Sequence, residues 1–202
     1  MNKNIKPMIF DLTELEKKAE NSSGLACYIL GRSFDSQENG ADQNYEKAVY
    51  WYKRGADLND PRAIYGVAAC YHFGDGVAQD INKAKELFIQ AYGPLLELIE
   101  QEKENPQKQA FSKFVLGAYY YFGFGNVQAD KEKAFELIYA SAMQGHIAGI
   151  YDLGANFYFN GIGTKKDLDL AKYYLELAAK HGLPRAKTKL EEYSKVFNEV
   201  SR

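Results

Sequence analysis

The chain has 202 residues, 46% of them hydrophobic and 26% charged, with a formal net charge of −2. That is ample apolar material for a core, in one or at most two domains. The near-neutral balance without a basic tract argues against nucleic acid and anionic membrane as partners, and the lack of any run of 18 apolar residues argues against membrane insertion.

Cys27 and Cys70 are the only cysteines, too few for a secreted disulfide scaffold, so reduced thiols and a cytoplasmic setting are expected. The opening MNKNIKPMIFDLTELEKK lacks the apolar core and small-residue cleavage site of a secretory signal. A secreted effector or a signal-stripped mature form stays open.

In chain order, residues 1–10 read as a poorly ordered lead. Asp11 is placed to cap a helix over Leu12–Glu20, with Glu14 three residues on as in a capping box. Leu12, Leu15 and Ala19 would face inward, and Asn21–Gly24 ends the helix. This element, 11–24, resembles half a unit and suits an N-terminal cap.

The segment 25–59 then reads as helix, turn, helix. Ala26, Leu30, Gly31 and Phe34 lie on the first helix, and Lys47, Ala48, Trp51, Tyr52, Gly55 and Ala56 on the second. Its turn, DSQENGADQN, is long and polar. The segment 60–93 repeats the plan more regularly. Ala63, Val67, Ala68 and Tyr71 share one helical face, Gly74 and Gly76 turn the chain, and Asp80 caps a second helix striped by Ala84, Leu87, Phe88 and Ala91.

Two more copies follow at 110–145 and 146–182, with Leu116-Gly117, Gly123-x-Gly125, Asp130 and Lys133-Ala134 in one. The other has Leu153-Gly154, Gly161-x-Gly163, Asp167 and Ala171. Lys47 to Lys83 is 36 residues, Lys83 to Lys133 is 50, and Lys133 to Leu170, which replaces the lysine, is 37. Periods of this size indicate helical arrays. The long interval contains an insert, 94–109, in which Gly93-Pro94 should break or kink the preceding helix and Asn105-Pro106 should start the next. It is either a locally packed connector or a protruding partner-binding element. Ala186, Leu190, Tyr193 and Phe197 mark a closing helix, 183–202.

These residues resemble the Sel1-like repeat family, a relative of tetratricopeptide repeats, over about 25–182. Ala63, Tyr71, Gly74, Gly76, Val77, Asp80, Lys83 and Ala84 follow its pattern in the second copy. The first copy lacks the GxG turn. The second has Val67-Ala68 for Leu-Gly. The third carries one extra residue between Gly125 and Asp130, and the fourth one extra between Leu153 and Gly161. The resemblance implies an all-α fold, an α-solenoid of antiparallel helix pairs wound as a right-handed superhelix, with the whole chain as a single repeat domain. It also implies adaptor or scaffold roles in signalling, protein quality control or bacterial host interaction, and no general catalytic motif. A bacterial branch linked to β-lactam binding carries a cysteine pair within each repeat, a pattern absent here.

By analogy with the first helices of tetratricopeptide arrays, a concave face would comprise Tyr28, Arg32, Tyr65, Ala69, His72, Phe114, Ala118, Tyr121, Tyr151, Ala155 and Phe159. Small residues between rings there would leave a groove for an extended or helical peptide. The same rings also fit an inter-repeat core.

His72, His146 and His181 show no metal-ligand spacing, and the last two read as helix C-terminal residues. The GxG pairs recur between helices and read as turns rather than phosphate loops. The expectation is a non-catalytic protein–protein interaction module, without cofactor, that binds a protein or peptide. Kept beside it are a self-associating structural protein forming a weak homo-oligomer, a hydrolase or β-lactam-binding protein, and an immunity-type or effector-type bacterial partner protein.

Overall fold

A computed structural model describes the backbone of residues 5–200 and the side chains of residues 5–197. Among them are ten helices: α1 Leu12–Glu20, α2 Gly24–Ser36, α3 Tyr45–Asp57, α4 Pro61–Phe73, α5 Ile81–Gln101, α6 Pro106–Phe122, α7 Lys131–Met143, α8 Ile147–Asp152, α9 Leu168–Lys180 and α10 Pro184–Val200. α8 continues without interruption into a π-helical turn, Leu153–Tyr158. Consecutive helices pack as sequential pairs, α2 with α3, α4 with α5, α6 with α7, and the α8–π helix with α9. The chain divides into two compact units. One holds Phe10–Gln101 with the turn Gly123–Gln128; the other holds residues 5–9, Glu102–Phe122 and the chain from Ala129 on.

One local device builds every pair. Asn44, Asp80, Asp130 and Asp167 each cap a second helix by accepting the backbone N–H three residues on, at 2.9 Å in each case. The backbone N–H of each cap donates back to the first helix of its own repeat, to the carbonyls of Phe34, Tyr71, Tyr120 and Tyr158 at 2.8–2.9 Å. Caps of this kind contribute about 1 kcal/mol each. The recurrent lysine has its reason here too. Lys47, Lys83 and Lys133 sit over the rings of Phe34, Tyr71 and Tyr120 at 5.1, 4.5 and 4.1 Å. In the fourth repeat Leu170 takes that place and packs against the apolar core.

The second glycine of each GxG turn does more than turn the chain. Gly76, at φ +71°, lies against the Tyr45 carbonyl at the start of α3, and Gly163, at φ +62°, against the Lys131 carbonyl at the start of α7. A Cβ would collide with the backbone in both places, so only glycine permits the turn to rest on the preceding pair. In the third repeat the same turn rests further along, with Gly125 against Phe88 and Ile89 of α5.

The insert differs from expectation. Gly93-Pro94 does not break α5: the helix runs unbroken to Gln101, with Pro94 inside it. The proline removes one backbone donor, but Gln90, whose carbonyl it leaves unpaired within the helix, is solvent-exposed. Fully buried Leu95 anchors the extension. Beyond α5, Ser112 Oγ donates to Glu102 Oε2 at 2.7 Å, and Asn105 caps α6 ahead of Pro106, as the sequence indicates.

Three further expectations meet the structure differently. Residues 1–4 of the lead lie outside the described residues, as do 201–202 of the closing segment. The rest of the lead is ordered: the Met8 N–H donates to the Gly145 carbonyl at 2.8 Å, and Pro7 is buried. Asp11 caps α1 through the Glu14 N–H, but the Glu14 carboxylate pairs with Lys17 instead of returning to close a capping box. His146 does not end a helix. It is the N-cap residue of α8, buried between the rings of Phe111 and Phe114 at 4.7 and 4.5 Å. His181 does cap the end of α9.

The extra residue of the fourth repeat is absorbed by the π turn. Gly123 follows Leu116 by seven positions, whereas Gly161 follows Leu153 by eight. One wider turn takes up the difference and keeps residues before and after it on the same faces.

Candidate functional site

Each unit holds a cleft between its two consecutive first helices. In the unit of repeats one and two, a cavity of about 200 Å³ lies between α2 and α4. Arg32 and Asp35 come from α2, Tyr52 from α3, and Tyr65, Gly66, Ala69, Cys70 and Phe73 from α4, with Asp75 beyond it. Gly31 and Gly66 make room for the Tyr52 ring, since a Cβ on either would fall inside it. The Tyr52 hydroxyl donates to Asp35 Oδ2 at 3.2 Å. Arg32 pairs with the buried Glu38 carboxylate of the first turn. Burial disfavours the Arg32 charge, but Glu38, together with Tyr28, Tyr52 and Asp35, more than reverses this and holds the guanidinium well above its ordinary value. Asp75 is shifted upward, first by burial and then by the charge of Asp35.

The second cleft, about 130 Å³, lies between α6 and the π turn. Phe114, Gly117, Ala118, Tyr121 and Phe122 of α6 face Asp152, Asn156 and Phe157, over Ile138 of α7. The wider turn sets Asn156 to donate to Asp152 at 3.1 Å. The Lys131 ammonium lies 3.8 Å over the Tyr121 ring and donates to the Tyr121 carbonyl. Burial, then the Asp152 charge, raises the Tyr121 phenol.

The residues expected on one face therefore divide. Arg32, Tyr65 and Ala69 line the first cleft; Phe114, Ala118 and Tyr121 line the second. His72 lies beside the first, edge-on to Phe73 at 4.7 Å and to Phe124 at 5.1 Å. Tyr28 is fully buried, and Phe114 and Ala155 nearly so. Tyr151 and Phe159 are covered by α10: Arg185 lies 4.4 Å over the Tyr151 ring, and Tyr193 stacks on Phe159 at 3.5 Å. The closing helix thus occupies the place a further first helix would take. Phe73 and Phe122, the last residues of α4 and α6, are 52% exposed on the two rims. These two, with Asp35, Tyr52, Asp75, Asp152 and Asn156, were not among the expected site residues. Their common position directly before the GxG turns of the second and third repeats was the available signal for the phenylalanines.

The Sel1 repeat model matches four times, over residues 24–60, 61–92, 110–146 and 147–183. The chain belongs to the Sel1 repeat family. Its four Sel1 repeats coincide with the four capped helix pairs. Chitin synthase regulatory factor 2 of Schizosaccharomyces pombe is 27% identical over 179 residues, which cover 82% of this chain and 31% of that protein. A Sel1 repeat protein from Oxalobacter formigenes is 25% identical, with a TM-score of 0.40 and coverage of 90% of this chain and 48% of that one. A protective antigen of uropathogenic Escherichia coli is 27% identical, with a TM-score of 0.43 and coverage of 91% and 36%. The chain thus spans between about a third and a half of the length of these relatives. Among the described residues, no helix is long and apolar enough to cross a membrane.

Proposed function

We propose that this Sel1 repeat chain is a non-catalytic docking module that captures a protein or peptide segment on its first helices. The observation that carries this reading is the recurrence of a ring-lined cleft in each unit, with a half-exposed phenylalanine on its rim. Large aromatic side chains left exposed beside a concavity are the usual anchors of protein recognition. A relative that is a regulatory factor of an enzyme is consistent with an adaptor role. The two buried, free thiols accord with a reducing compartment.

The test is a selection of short random peptides on the immobilised chain, followed by affinity measurements on Phe73→Ala and Phe122→Ala. The reading expects at least one variant to weaken binding tenfold or more. Selected peptides that bind both variants at native affinity would place recognition elsewhere. Self-association is the second reading, favoured by Ile81, Ile89 and Leu96 exposed along α5; sedentation of a concentration-independent monomer would remove it.

A further inference from the structure

The cleft between α2 and α4 differs in character from its counterpart. Its walls are the rings of Tyr52, Tyr65 and Phe73, and its floor is the small residues Gly66 and Ala69. Two carboxylates, Asp35 and Asp75, open into it. Asp35 is engaged by a neutral phenol, and the influences on Asp75 are burial and Asp35 itself, with no cation among them. The one guanidinium in the lining, Arg32, is paired with Glu38 and also feels the Asp35 charge. Lys53 of α3 is exposed to water and acts on Cys70 only at a distance. With Arg32 counted against Glu38, the cleft therefore has two carboxylates in excess of its cations, held against aromatic walls in a space of one side chain.

Resting on the docking function above, we propose that this cleft receives a cationic side chain, lysine or arginine, of the bound peptide. A cation entering there meets carboxylates on one side and ring faces on the other. Both attractions strengthen as the partly buried site loses water. An apolar residue would leave both carboxylates desolvated without a partner, which costs affinity. An anionic residue would meet like charge. The charge complementarity therefore selects a basic position in the partner sequence, while the second cleft holds a single carboxylate, Asp152, which already accepts from Asn156, and makes a weaker demand.

Two measurements test this. The first titrates the full chain with Nα-acetyl-arginine amide and with its neutral citrulline analogue, following the backbone amides of Asp35, Ala69, Phe73 and Asp75 by NMR. Saturable shifts with arginine only, lost in Asp35→Asn/Asp75→Asn, are expected. Equal shifts with citrulline, or none with either, overturn the proposal. The second uses the selected peptides. A basic residue should recur at one position, and its replacement by citrulline or norleucine should weaken binding about tenfold in the native chain. In the double variant, which keeps side-chain size and hydrogen bonding, the same replacement should have almost no effect. Peptides that need Phe73 but are indifferent to both carboxylates would overturn the cation assignment and leave the docking function standing.

Discussion

Arg62 and Asp60 form a buried ion pair across a single intervening proline. Arg62 Nε donates to Asp60 Oδ1 at 3.0 Å and Nη2 to Oδ2 at 2.6 Å, and both residues are buried. Asp60 Oδ1 also accepts the Arg62 backbone N–H at 3.0 Å, so the same carboxylate caps α4. Gly24 leaves the space for it, since a Cβ there would stand 2.6 Å from the Asp60 Cβ. One aspartate thus joins the start of α2 to the start of α4. Asp60→Ala removes a cap together with the carboxylate that pairs twice with the buried Arg62 guanidinium. A loss of about 3–5 kcal/mol in urea-induced unfolding is expected. Asp80→Ala, which removes an exposed cap alone, should cost about 1 kcal/mol.

Gly163 and Gly182 separate close approach from backbone conformation. Both have positive φ, but a Cβ on Gly163 would lie 2.0 Å from the Lys131 carbonyl oxygen, whereas nothing lies within 4 Å of one on Gly182. Gly182→Ala should lose about 1–2 kcal/mol, the cost of the left-handed conformation. Gly163→Ala should lose distinctly more, because the turn must lift from α7. Equal losses in thermal unfolding would show that the contact carries no weight.

Tyr65 packs its ring near Phe88 and Phe124 at 5.6 and 6.3 Å, and Phe88 stacks on Phe124 at 4.0 Å. Tyr65→Ala should therefore destabilise the chain by about 2–4 kcal/mol, as truncation of a large packed ring does. Phe73→Ala should stay within about 0.5 kcal/mol of native, as exposed positions do. Denaturation curves of the two variants check this, and they make Phe73 the cleaner probe of binding.

Burial pushes the Cys70 thiol up to about 12 and raises that of Cys27 as well. At pH 8 both should react with a chromogenic disulfide reagent only as fast as the chain opens, and at once in denaturant. Burial also raises the phenols of Tyr28, Tyr52 and Tyr174. These acids hold their protons more tightly folded than unfolded. Their contribution to stability is complete below the ordinary thiol and phenol values and is lost as pH rises past them. Stability should be flat toward neutral pH and fall on the alkaline side, as measured by urea midpoints across that range.

The repeat was legible because its signals are local. Asp80, Asp130 and Asp167 announce caps three residues before the amides they accept, and the glycine pairs mark turns whose φ angles only glycine adopts freely. The π turn was also foreshadowed, as a single surplus residue between Leu153 and Gly161. Pro94 does not break α5 for a physical reason: its cost inside the helix is offset where Leu95 buries its side chain and Gln90, one turn back, is a solvent-exposed residue.

By itself, the sequence determined that helices pair, where each pair begins and turns, and that four such pairs follow one another. These depend on contacts within a few residues. Only the tertiary structure decided which rings line a cleft and which are core. It buried Tyr28 and His146, covered Phe159 with Tyr193, paired Arg32 with Glu38 and left Phe73 and Phe122 on the rims. A helix face has the same apolar stripe whether a neighbour or water covers it. That choice belongs to the elements brought alongside, which local spacing does not encode.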